Sequence, residues 1–179
     1  MAKIITVGAA IQDVFLSQSD ALTPVCESPE HCFARLDLGA KADVNQIHFS
    51  TGGGATNAAV TFSRQGHYAS FMGAIGHDPA GQAVIADLDK ENIDTHLVRY
   101  SPKYSTGYSV LLLASNGERT ILTYRGASTH YHEADFDLSE EDADWLYVST
   151  LAGNMSMLHK LFQQAKRRDM KICFNPGKK

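Results

Sequence analysis

The sequence predicts an α/β fold: a largely parallel sheet flanked by helices, with a small antiparallel β insertion. Three observations predict it. Continuous apolar runs alternate with helical apolar stripes, residues 145–175 read as strand, helix, strand, and two alternating β segments fall outside that rhythm.

Residues 3–9 form a continuous apolar run leading into small residues, the pattern of a strand buried on both faces of a parallel sheet. Residues 17–34, richer in Ser, Pro, Glu and Cys, are expected to be a surface excursion. Residues 35–50 alternate, with Ile47 and Phe49 on one face and Gln46, His48 and Ser50 on the other, and predict a β segment. After three glycines, Ala55, Ala58, Ala59 and Phe62 fall on one helical stripe, and Gly66 is placed to end that helix in a left-handed cap. A strand over residues 69–75 follows.

Asp78-Pro79 sets a carboxylate at an N-cap and a proline at the first helical position; Ala80, Val84 and Leu88 continue one face, and Asn92 is a stop. Residues 108–114 and 118–124 flank Ser115-Asn116-Gly117, a strong hairpin signal. Residues 145–149 predict a strand, Met155, Leu158, Phe162 and Ala165 a helical stripe, and residues 171–175 a further strand. The β pieces at about 35–50 and 107–125 read as a flap inserted in one domain spanning residues 1–179.

Composition narrows the function class. With 44% hydrophobic and 20% charged residues, the chain is an ordinary globular sequence. A formal charge of −4 gives no reason to expect nucleic acid or an anionic membrane as partner, and no apolar run is long enough to span a bilayer. The N-terminus lacks the pattern of a signal peptide. Cys26, Cys32 and Cys173 have no framework spacing, which suits a reducing, cytoplasmic setting, and they are expected to be ordinary thiols. Cys26, His31 and Cys32 match no zinc spacing, and no metal site is expected.

Two features carry chemistry. Asp13 follows the first strand, where ligands bind in open α/β sheets, and a carboxylate there accepts hydrogen bonds from vicinal hydroxyls. Thr51-Gly52-Gly53-Gly54-Ala55-Thr56-Asn57 runs straight into a helix, so the backbone is open to close approach and the helix N–H groups face a ligand. Asn57 adds a donor and an acceptor one turn in. The spacing is neither G-x-G-x-x-G nor a P-loop, and it suits a polyol better than a polyphosphate. Asp78 and the glycines around it read as structural, and His77, His130 and His132 lack a third metal-ligating neighbour.

Together these residues resemble the PfkB, or ribokinase-like, carbohydrate kinases. The resemblance rests on Gly52-Gly53-Gly54-Ala55-Thr56-Asn57, Gly66, Gly76-His77-Asp78-Pro79-Ala80-Gly81, the early Asp13 and the split flap. It implies that Asp13, Gly53, Gly54 and Asn57 hold the hydroxyls of a sugar or nucleoside, under a flap acting as a lid. It places Tyr108 and Arg125 on that lid, facing either substrate or the outer surface, and Asn175 at a central strand end near the active site. Where several relatives carry a substrate-binding Glu, this chain reads Thr150-Leu151-Ala152.

The resemblance further implies ATP and Mg as cofactors of a full-length member, and a homodimer through the lid or an exposed sheet edge. The second family signature, Gly-Ala-Gly-Asp, is absent from the 179 residues, as are the Asn-x-x-Glu segment and the ATP-binding strands. The chain then corresponds to the acceptor-binding front part of the fold. The base is expected beyond Lys179, no cofactor is expected on this chain alone, and the chain alone is expected to be inactive. The alternatives are a non-catalytic sugar-binding or assembly module, and a Rossmann-type nucleotide-binding domain.

Overall fold

In the computed structural model, which describes residues 1–28 and 31–177, the elements alternate much as the apolar pattern requires. β1 (Lys3–Val7) and β2 (Ile11–Ser17) open the chain, followed by β3 (Val25–Ser28), β4 (His31–Phe33) and β5 (Gln46–Gly52). Next come α1 (Gly54–Arg64), β6 (Tyr68–Gly76), α2 (Pro79–Lys90) and β7 (Val98–Ser101). β8 (Gly107–Leu113) and β9 (Arg119–Tyr124) precede β10 (Trp145–Val148), α3 (Met155–Arg167) and β11 (Lys171–Phe174).

The chain divides into two compact units. The first comprises Met1–Gln12, Thr51–Gly107 and Arg125–Lys179, and the second Asp13–Ser50 and Tyr108–Tyr124. In the first, a five-stranded sheet runs β11-β10-β1-β6-β7, and every neighbouring pair is parallel. Among the described residues β11 is an edge strand, paired with β10 alone.

Two apolar clusters form the core. Phe71 and Ile75 of β6 pack with Ala55 and Ala59 of α1 and Val84 and Leu88 of α2. Met72, on the other face of the same strand, packs with Leu146, Val148, Leu158, Leu161 and Ala165. Alternation along β6 thus feeds both layers, and each fully buried large apolar side chain contributes about 1.5–3 kcal/mol.

Helices α1, α2 and α3 end in the same way. Gly66, Asn92 and Asp169 adopt positive φ (84°, 55° and 55°) one residue past the cap. In each case two backbone bonds close the end: His67 to Phe62 and Gly66 to Ser63, Ile93 to Leu88 and Asn92 to Asp89, Met170 to Ala165 and Asp169 to Lys166. These are Schellman caps, which satisfy the last free carbonyls. The buried stripe of α3 differs from the expected one. Met155 is 65% exposed, because Asn154 caps the helix and leaves Met155 as its first residue, facing solvent; the stripe is Met157, Leu158, Leu161 and Ala165.

In the second unit the expected β segment at 35–50 is shorter, and only Gln46–Gly52 is strand. Leu36, Leu38 and Val44 are exposed and no strand pairs with them; alternation without a partner for the backbone does not make a sheet. β5-β2-β8-β9 is the order of the four-stranded sheet that includes this strand. β8 and β9 pair antiparallel from Tyr108↔Tyr124 to Leu113↔Arg119, and Gly117 (φ 88°) closes the loop between them.

The excursion carries a second hairpin, β3 with β4, in which Cys26 stands opposite Cys32. The two are joined in a disulfide, which corrects the expectation of unlinked thiols: antiparallel pairing brings their Cα atoms to 4.0 Å. Pro29 and Glu30 of the excursion, and the terminal Lys178 and Lys179, lie outside the described residues. Among the described residues no helix is long and apolar enough to cross a membrane.

Candidate functional site

Strand order reverses beside β1. The chain proceeds from β1 to β6 and β7 on one side, and later adds β10 and β11 on the other. Ligands in open α/β sheets bind beyond the carboxyl ends at such a reversal. Gly8 and Ser149 follow the two strands that meet there, and the Ser149 N–H donates to the Val7 carbonyl at 2.9 Å.

The amino end of α1 is wedged onto this point. Gly53 has φ 121°, and a Cβ on it would stand 2.1 Å from the Ala9 carbonyl oxygen, so no other residue fits. A Cβ on Gly54 would come within 3.0 Å of Ser149 Cβ. The Thr56 hydroxyl turns back onto the Gly52 and Gly53 carbonyls at 2.7 and 3.1 Å. Among the described residues no side chain caps the helix, and its first backbone bond runs from Asn57 N–H to the Gly53 carbonyl at 3.0 Å. The N–H groups of the first turn have no helical acceptor, and the exposed Asn57 lies beside them.

Asn175 continues the ladder past β11, donating its N–H to Val148. Its side-chain oxygen accepts from Gly177 N–H at 3.0 Å, shaping the Asn-Pro-Gly turn. Arg125 is exposed, and its carbonyl accepts from the Ser128 N–H at 3.1 Å and hydroxyl at 2.6 Å, starting the 3₁₀ turn Gly126–Thr129.

Within the second unit, Asp13 on β2 is hydrogen-bonded to Ser109 on β8. Burial raises the Asp13 pKa above its ordinary value, and the Ser109 hydrogen bond offsets only part of that rise. Tyr108 precedes Ser109 on the strand, so it faces the opposite side of the sheet from Asp13. Ser109 and Ser149, both buried, are the residues that sequence reasoning missed. Neither lies in a motif, and their place is set by partners far away in the chain.

Gly76-x-Asp78-x-x-Gly81 is structural, as its sequence suggests. Asp78 caps α2 by accepting the Gly81 N–H at 2.8 Å, and it also binds Thr106. His77 stacks on Tyr100 and His130 on Tyr104, with ring centroids 4.8 and 3.7 Å apart, while the His132 N–H donates to Asp135. Among the described residues no group of three His, Cys, Asp or Glu side chains is disposed to hold a metal.

Comparison with known proteins shows the family and the fold. The profile of the pfkB family carbohydrate kinases matches residues 3–177. A probable chloroplastic fructokinase of Arabidopsis thaliana is 31% identical over 112 residues, which cover 60% of this chain and 29% of that protein. The solved fructokinase of Xylella fastidiosa superposes with a TM-score of 0.76 at 17% identity, covering all of this chain and 53% of that one. An uncharacterized sugar kinase of Pyrococcus horikoshii, solved in complex with ATP, gives 0.75 at 22% identity, covering 98% of this chain and 53% of that one. The chain spans about half the length of these solved structures and less of the curated relative, and the fold is ribokinase-like.

Proposed function

The chain belongs to the pfkB family of carbohydrate kinases, and from that membership we propose that the whole protein transfers phosphate from ATP to a hydroxymethyl group of a sugar or nucleoside. One observation carries the acceptor assignment: the uncapped first turn of α1 stands at the strand reversal, with Gly53 fixed there by the Ala9 carbonyl. Bare N–H groups at that place suit hydroxyl oxygens. Gly53, Gly54 and Asn57 of the first unit bind the acceptor, and the resemblance to the family names Asp13 as a further acceptor-binding residue. Asn175 and Arg125 are secondary contacts of the same acceptor.

ATP is the donor by kinship with the relatives, one of which was solved in complex with it. The 179 residues contain no Gly-Ala-Gly-Asp segment, so this chain by itself binds acceptor without turnover. Calorimetric titration of the chain with ribose, fructose and adenosine, each followed by an ATP-dependent turnover assay, tests both halves of the reading. Saturable binding of one acceptor without product is the expected outcome. Tighter binding of NAD than of any acceptor would replace this reading with a dinucleotide one. That rival has the same strand order, but its glycine-rich turn follows the first strand directly, and here the glycines come after β5.

The second unit also supports self-association. Leu122 and Tyr124 share the face of Tyr108 by register, and they are 60% and 52% exposed. Ile47 and Phe49 of β5 are 60% and 57% exposed. An exposed apolar face of this kind marks a contact surface, and a homodimer forms through it. Sedimentation of the F49K/L122K variant is expected to show monomer where the parent chain shows dimer.

A further inference from the structure

We propose that Cys26 and Cys32 form a reversible thiol–disulfide exchange site, whose partner is a low-molecular-weight thiol and disulfide couple of the glutathione class. The hairpin supplies the geometry. Strands β3 and β4 pair antiparallel with Cys26 facing Cys32, so bond formation needs no rearrangement of the backbone. It also supplies access: both cysteines are exposed, as are Glu27, Ser28 and His31 around them. Structural disulfides are sheltered, whereas exposed ones exchange with solution thiols. Among the described residues no apolar cluster of the core includes this hairpin; beside its backbone pairing and the sulfur bridge, it carries only surface contacts such as the His31–Glu27 pair and the His31 and Arg35 contacts with Phe33. Cys173, exposed on β11, is the remaining cysteine, and among the described residues it has no disulfide partner.

The exchange balances. One cysteine thiolate attacks the small disulfide, joins one of its sulfurs and releases the other as a thiolate. The second cysteine thiolate then attacks the mixed disulfide, closing the Cys26–Cys32 bond and releasing the second small thiol. The protein loses two protons and two electrons, and the small disulfide gains the electrons as two thiols. Reduction runs the same steps backwards. Its consequence is local: the open form frees the backbone of the hairpin, so that the chain at Glu27, whose side chain is exposed already, can extend into the active site of a Glu-specific protease.

The 179-residue C173S chain tests this, since Cys26 and Cys32 are then its only thiols. It is incubated with defined ratios of reduced and oxidised glutathione, quenched by alkylation and weighed intact. The expected result is a reversible transition between a doubly alkylated species and a closed species lacking both alkyl groups. Glu-specific cleavage at residue 27 is expected to be at least about tenfold faster in the reduced form. The C26S/C173S and C32S/C173S variants should instead stop at a stable mixed disulfide. Persistence of both thiols under oxidised glutathione would overturn the proposal, as would a mixed-disulfide end state in C173S. A bond that resists reduced glutathione in the folded chain would also overturn it, showing a structural bridge.

Discussion

The carboxylate of Asp78 grips Thr106 twice, accepting its N–H at 2.8 Å through one oxygen and its hydroxyl at 2.7 Å through the other. The same hydroxyl accepts the Gly76 N–H at 2.9 Å. One acid therefore ties the end of β6, the start of α2 and the segment that leads into β8. Asp78→Ala is expected to cost about 1–3 kcal/mol in denaturant unfolding, because it strips a cap and leaves buried donors unpaired. Burial pushes the Asp78 pKa up, but the Thr106 and Gly81 hydrogen bonds and the His77 charge outweigh it, so the pKa lies below the usual 3.8. Its stabilisation is thus full above that unfolded value and is lost as pH falls through the folded one. The stability gap between the parent and Asp78→Asn should close on acidification.

Gly53→Ala places a methyl group where the Ala9 carbonyl already stands, with Gly53 at φ 121°. The amino end of α1 must then shift. The expected outcome is a loss of stability of more than about 1 kcal/mol, together with loss of acceptor binding. Gly66→Ala is the control: its φ of 84° carries strain, but no atom lies within 4 Å of the new methyl group. It should lose stability and keep acceptor affinity once folded, as calorimetry would show.

Asp13 sits against a stability gradient. Its raised pKa means that the folded chain disfavours its charge, so Asp13→Asn should leave thermal stability near neutral pH unchanged or higher. Acceptor affinity should fall about tenfold or more, because charged hydrogen bonds to hydroxyls contribute roughly 1.5–3 kcal/mol each. Affinity of the parent should also weaken as pH drops into the raised titration range of Asp13. Equal affinity in both chains across pH would remove Asp13 from the acceptor site.

His96 lies near the amino ends of the strands, far in the fold from their carboxyl ends, in a cavity of about 300 Å³ also lined by Lys3, Asp94, Glu141 and Asp142. Burial lowers its pKa, but Asp94 at 2.8 Å and Glu141 at 3.4 Å overcome that and raise it above 6.5. The sign is opposite to that of Asp78. The His96 contribution is full below 6.5 and is lost as pH rises through the folded value. His96→Gln should therefore flatten the alkaline side of the stability profile near neutrality, measured by urea unfolding between pH 5.5 and 8.5. The effect is small, because the ring is half-exposed.

Much of this was readable in the residues. Asp78-Pro79 and the positive-φ residues Gly66 and Asn92 mark α1 and α2 because caps are local chemistry, decided within a few residues. Asp169 ends α3 in the same geometry without a glycine or asparagine to announce it. The segment around Leu36 and Leu38 alternates like a strand and is not one. Alternation records which faces differ, and pairing needs a neighbour that no local pattern supplies.

The sequence by itself determined the α/β class, the glycine-rich entry to α1 and the kinship with the pfkB kinases, since each depends on short-range backbone chemistry and on spacing. Tertiary structure alone decided that Ser149 backs Gly54, that Ser109 meets Asp13 and that Cys26 bonds Cys32. Those relations depend on strand register and strand order, which bring together atoms that the chain itself holds apart.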